Sequence, residues 1–137
     1  MKKWLLGIIT ALTLVFGLSV ATTANASSWY RGTPSALRGT YFYHYHDGVR
    51  GTDVYKITKS AVYFTPTGDR TFKTFGVKYE KYGKYYRIVG TMHGNSGHNV
   101  KDSSIYYKKG HSLKVLDYSQ YKHGGFSKDH YIFHKIK

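Results

Sequence analysis

From Leu37 to the end of the chain, apolar and polar positions alternate in short runs separated by turn residues, the pattern of half-buried β-strands. The runs are Gly39–His46, Thr52–Thr58, Ala61–Thr65, Thr71–Tyr79, Tyr85–Thr91, Ser103–Lys108, Ser112–Tyr118 and Asp129–Lys135. Asp47-Gly48, Thr67-Gly68-Asp69, the polar stretch 94–102 and Gly124-Gly125 break them. Within the runs Tyr55 and Ile57 flank Lys56, Tyr86 and Ile88 flank Arg87, and Leu113 and Val115 flank Lys114. One face is therefore apolar and the other wet, as in antiparallel sheets. Lys81-Tyr82-Gly83-Lys84 and Lys108-Lys109-Gly110-His111 each place a glycine where a hairpin loop of three to five residues needs one. No window sustains a 3.6-residue period, so helix is expected to be minor. The predicted fold is all-β: a small antiparallel meander barrel or rolled sheet of about eight strands, a closure that removes exposed edges.

The first 26 residues follow different rules. Lys2 and Lys3 precede an uncharged apolar stretch from Trp4 to Val20, and Ala24-Asn25-Ala26 is a small-x-small cleavage site. This is the layout of a signal helix that is removed on export. An uncleaved anchor is the alternative, but the apolar run is short for a span and the Thr22-Thr23 spacer favours cleavage. The expected organisation is a signal peptide at 1–26, a linker at 27–36 and a single β-barrel-like domain at 37–137, with no membrane-spanning segment in the mature chain. A secreted, monomeric protein is expected.

Composition sharpens this picture. The 137 residues contain no Cys, which excludes a disulfide framework, thiolate metal sites, a thiol nucleophile and a lipoprotein anchor. Fifteen Tyr and seven Phe are too many aromatics for a disordered tail. The formal charge is +14, and +12 once Lys2 and Lys3 leave with the signal. Residues 78–137 hold twelve of the cations against four acids, so the charge is concentrated in the later hairpins. Any polymeric partner is expected to be anionic.

The opening of the mature chain, Trp29-Tyr30-Arg31-Gly32-Thr33-Pro34-Ser35-Ala36-Leu37-Arg38-Gly39-Thr40-Tyr41, resembles the start of small exported proteins of lactobacilli and related lactic acid bacteria. Lys108 to Leu116 and the Tyr-rich C-terminal strand fit the same pattern. The resemblance implies export and a lipocalin-like β architecture, with a glycine bending the first strand and an aromatic plugging the floor. It implies no activity.

Candidate chemistry is sparse. His44 and His46 share one face of a strand, within reach of a single metal ion if a third ligand joins them. Alternation on a polar outer face explains them as well. Ser96 near His98 lacks the strand–turn–helix context of a nucleophile elbow, and the carboxylates lie mostly beside turns, so catalysis is not expected. No cofactor is implied. The basic and aromatic residues Lys78, Lys81, Lys84, Arg87, Lys108 and Lys109, with Tyr82 and Tyr85 as stacking surfaces, form the candidate binding surface. The expected partner is an anionic cell-wall polymer such as teichoic acid, with the protein held electrostatically at the envelope. Nucleic acid is disfavoured, because no recognition motif is present and export removes the usual target. A lipocalin-like small-ligand binder is the alternative, and a His-based metal-binding or hydrolytic protein a weaker one. The eight His suggest that polyanion binding tightens as the medium acidifies.

Overall fold

The computed structural model describes residues 28–46, 48, 50–127 and 130–136. The signal segment lies outside them, as do Asp47, Lys128 and Asp129. Nine strands are present among the described residues: β1 (Tyr30–Arg31), β2 (Gly39–His44), β3 (Thr52–Ile57), β4 (Val62–Thr65), β5 (Phe72–Tyr82), β6 (Tyr85–His93), β7 (Asn99–Lys109), β8 (Ser112–Asp117) and β9 (Phe133–Lys135). From β2 to β9 each strand pairs antiparallel with the next, and β9 returns to β2, closing an eight-stranded up-and-down barrel. One helix, α1 (Tyr118–Gly124), interrupts the meander between β8 and β9.

The alternating pattern sets which side chains fill the barrel. Leu37, Tyr41, Ile57, Val62, Val77, Ile88, Tyr106, Leu113 and Phe133 form one buried cluster, with Tyr55, Phe64, Tyr79 and Tyr86 packed on it. Full burial of side chains of this size contributes about 1.5–3 kcal/mol each. In β5 the alternation slips once, because the register shifts between Phe75 and Lys78. Gly76 takes a φ of 60° there, a left-handed conformation that glycine adopts without penalty. The bulge lets the two halves of β5 face different neighbours. Its first half pairs with β4, and Lys78 and Tyr79 pair with β1.

Several boundaries differ from those the sequence predicts. The hairpin connections at Gly83-Lys84 and Gly110-His111 are two residues long rather than three to five, because Tyr82 pairs with Tyr85 and Lys109 with Ser112. Both glycines have φ near 60°, as tight hairpins require. The polar stretch 94–102 is loop only as far as His98; Asn99–Asp102 continue β7 against Gly90–His93. Polar residues there hid the strand. Conversely, β9 starts at Phe133 and is shorter than expected.

Residues 30–37, mostly within the expected linker, are built into the barrel. Gly32 N donates to Val77 O at 2.9 Å and Thr33 N to Lys59 O at 3.1 Å. A short 3₁₀ turn (Ser35–Leu37) then carries fully buried Leu37 to the base of the core, where its carbonyl accepts the Tyr41 hydroxyl at 2.8 Å. This end of the barrel is therefore closed. The tight turns after β3, β5 and β7 lie at the same end, while the longer connections after β2, β4, β6 and β8 surround the open one.

Candidate functional site

Two regions can engage a partner: the basic rim of the closed end and the interior below the open end. At the rim, Lys78, Lys81, Lys84 and Lys109 are exposed. Lys81 and Lys84 flank the β5–β6 turn and Lys109 borders the β7–β8 turn, so strands distant in sequence bring their cations to one end. Arg31 and Lys59, which the charge pattern alone did not single out, are exposed at the same end. Cations here also lie over aromatic rings: Lys84 Nζ is 5.4 Å from the Tyr85 ring centre and 5.5 Å from that of Tyr107, and Lys78 Nζ is 5.2 Å from that of Trp29.

Other members of the sequence-derived set have structural work. Lys108 points with Tyr106 and Asp102 to the inner face of β7, and its Nζ donates to Ala36 O at 2.6 Å, holding the 3₁₀ plug. Burial, and then the charge of Lys135, push its ammonium pKa down. Arg87 lies on the outer wall, 3.4 Å from the buried Glu80 carboxylate and 3.1 Å from Ser103 Oγ, with its guanidinium carbon 3.7 Å from the Tyr118 ring centre. Tyr85 is half-buried between Tyr107, Tyr121 and Phe126, at 5.3–5.5 Å between ring centres. Tyr82, 38 % exposed, meets Tyr118 and Tyr121 edge-on. These rings form a second, external apolar layer beneath α1. Asp117 caps that helix, accepting from Ser119 N at 2.8 Å.

His44 and His46 flank the end of β2 and line a broad groove of about 690 Å³ with His130, His134 and exposed Tyr131 and Ile136. His44 Nδ1 is 2.8 Å from Thr52 Oγ1. Among the described residues no three His, Asp or Glu gather closely enough to hold a metal ion. Likewise, none of the described helices is long and apolar enough to cross a membrane.

The interior is not uniformly packed. Above the Tyr41–Leu37 floor lies a partly enclosed cavity of about 280 Å³, at the low end of the range for small-molecule sites. Tyr55, Phe64, Phe72 and Met92 form part of its apolar wall, and the Tyr55 ring stacks on Phe64 at 4.5 Å. Its polar side holds Thr74, Asp102, Ser104, Tyr106 and Asp117. Thr74 Oγ1 donates to Asp102 Oδ2 at 2.7 Å, and Ser104 Oγ to Oδ1 at 3.0 Å. Burial raises the pKa of Tyr55 and Tyr106 well above the ordinary tyrosine value, and the nearby Asp102 carboxylate adds to both shifts. At the mouth, Asp53 accepts from the Tyr45 hydroxyl and Thr67 N, both at 2.8 Å, and the first of these bonds pushes Tyr45 up to about 12. In the sequence Asp102 falls in the polar stretch 94–102 and is one of the four acids among residues 78–137. Its alternation with Ser104, Tyr106 and Lys108 is the signal that marks it as inward-facing. That signal is masked by Ile105, fully buried on the opposite face beside the external aromatic layer.

Comparison with known proteins finds no matching family model, no similar curated protein and no similar solved structure.

Proposed function

We propose that this chain is an exported, non-catalytic β-barrel that associates with anionic polymers of the bacterial envelope, such as teichoic acid, through the basic rim of its closed end. The observation that carries this reading is the imbalance of charge pairing. Arg87–Glu80 is the one ion pair between side chains among the described residues, so Lys78, Lys81, Lys84 and Lys109 face solvent with no acidic partner. Exposed like charges held on short turns at one end cost stability by mutual repulsion, and a polyanion relieves that repulsion while releasing its counterions. Lysine suits this role, as a point charge on a flexible stem that tracks a phosphate chain without fixed geometry. Tyr82, the more exposed of the two tyrosines, supplies a ring edge beside these charges.

The reading assigns rim cations the binding and leaves Lys108 and Arg87 to hold the fold. Retention of the mature protein on immobilised lipoteichoic acid, eluted with a salt gradient, tests it. Replacing Lys81, Lys84 and Lys109 together by Ala should weaken binding about tenfold at low salt and flatten its salt dependence by roughly two to three charges. A triple variant remote from the rim (Arg50, Lys73 and Lys101 to Ala) should lose much less. Equal losses in the two variants would reduce the interaction to net charge and overturn the assignment to the rim.

A further inference from the structure

Asp102 is a half-buried carboxylate that lines the barrel cavity and has no salt-bridge partner among the described residues. Each of its oxygens accepts one hydrogen bond from a neutral hydroxyl, Thr74 or Ser104, which leaves one acceptor position on each. The only side-chain ion pair among the described residues lies elsewhere, on the outer wall. A carboxylate drawn partly out of water is better accommodated when a cation is paired to it. The cavity wall carries a further polar residue, Tyr106, which is 2 % exposed. Asp117 adds another carboxylate to the same lining. The chain is strongly basic overall, yet none of its described cations lines this cavity.

We propose that the barrel cavity is a binding site for a small organic ammonium ion. The ammonium group sits against Asp102 with the Tyr106 hydroxyl as a further acceptor, and the apolar body lies along Phe64, Phe72 and Met92. Three donors on an ammonium match the two free positions of Asp102 and one hydroxyl oxygen. Aromatic walls favour a cation electrostatically as well as by apolar contact. An anionic ligand of the same shape meets Asp102 and Asp117 as repulsion, and a neutral one leaves the carboxylate uncompensated. The volume of about 280 Å³ limits the guest to a small body such as a single ring or a short alkyl chain. This inference is independent of polyanion binding, because it uses the inner face of β7 and none of the rim lysines.

The test compares three probes of one shape, phenethylammonium, 2-phenylethanol and 3-phenylpropionate, together with butylammonium, by calorimetry and ligand-observed NMR on the mature protein. Phenethylammonium should bind saturably with one site, the alcohol about tenfold more weakly, and the carboxylate not at all. Asp102→Asn should lower phenethylammonium affinity at least about tenfold. Tyr106→Phe, which removes only the hydroxyl, should lower it several-fold. Lys84→Ala should leave it unchanged. Binding should survive about 0.5 M salt, whereas attachment to a polyanion is lost there, so the two sites can fail separately. Melting curves confirm that each variant is folded; if Asp102→Asn is not, the Tyr106→Phe and alcohol comparisons decide. Saturable binding of neither ammonium, equal binding of the alcohol, or full affinity in a folded Asp102→Asn or Tyr106→Phe variant would each overturn the proposal.

Discussion

Tyrosine serves two environments in this protein, and Tyr55 and Tyr106 occupy the inner one. On the outer wall tyrosine rings pack under α1 and meet cations; inside the barrel two of them keep their protons because burial, reinforced by Asp102, disfavours the phenolate. The folded state therefore holds protons that the unfolded chain releases near the ordinary tyrosine value of about 10. The stability linked to these two groups is complete below that pH and is lost as pH rises beyond it. Titration monitored by tyrosinate absorbance should show most tyrosines ionising first, with a last group appearing only as the fold melts. Tyr106→Phe should remove part of that late step. Smooth ionisation of all tyrosines before the loss of β structure would contradict the buried placement. In the sequence these two residues were indistinguishable from the other thirteen, since burial is a property of the closed barrel and not of local pattern.

At the scale of elements, the bulge in β5 decides how the closed end is built. Gly76 turns the strand, β1 takes the edge that short β4 leaves, and Gly90 of β6 crosses close behind. A Cβ on Gly90 would lie 2.7 Å from Thr74 Cγ2 and 2.8 Å from the Phe75 carbonyl oxygen. Gly90→Ala should therefore destabilise the fold by about 2 kcal/mol, or roughly 10 °C in melting temperature, through overpacking against backbone. Differential scanning calorimetry checks this; an unchanged melting temperature would mean that the bulge yields freely. Strand order and most strand positions were legible because the period-2 alternation survives wherever one face meets water. It failed at Asn99–Asp102, where three of the four residues are polar, and at α1, whose seven residues bury tyrosines through the outer sheet surface rather than along an apolar stripe of their own. Loop length at the two lysine–glycine turns also differs from the sequence expectation, since register is set by cross-strand pairing that the local sequence does not show.

For the whole molecule, closure of the barrel gathers the rim lysines at one end. This is the closed end, and Asp53, Asp102 and Asp117 lie toward the open one. Histidines are distributed differently: His44, His46, His98, His111, His123 and His134 are all exposed. Histidine as a residue type is the one whose charge changes between about pH 5 and 8. Retention on purified cell wall should accordingly tighten at pH 5, with elution shifted to higher salt; equal retention at the two pH values would remove any role for histidine in attachment.

Local information was enough for an all-β meander and for a strongly basic, aromatic-rich chain, because alternation, turn residues and composition are all readable within a few positions. The tertiary structure alone decided that β9 returns to β2, that residues 30–37 plug one end, and that Lys108 and Arg87 belong to the scaffold rather than the free surface. It alone placed an unpaired carboxylate in a cavity. Each of these depends on which distant strands meet, and hydrophobic burial specifies that only once the sheet closes on itself.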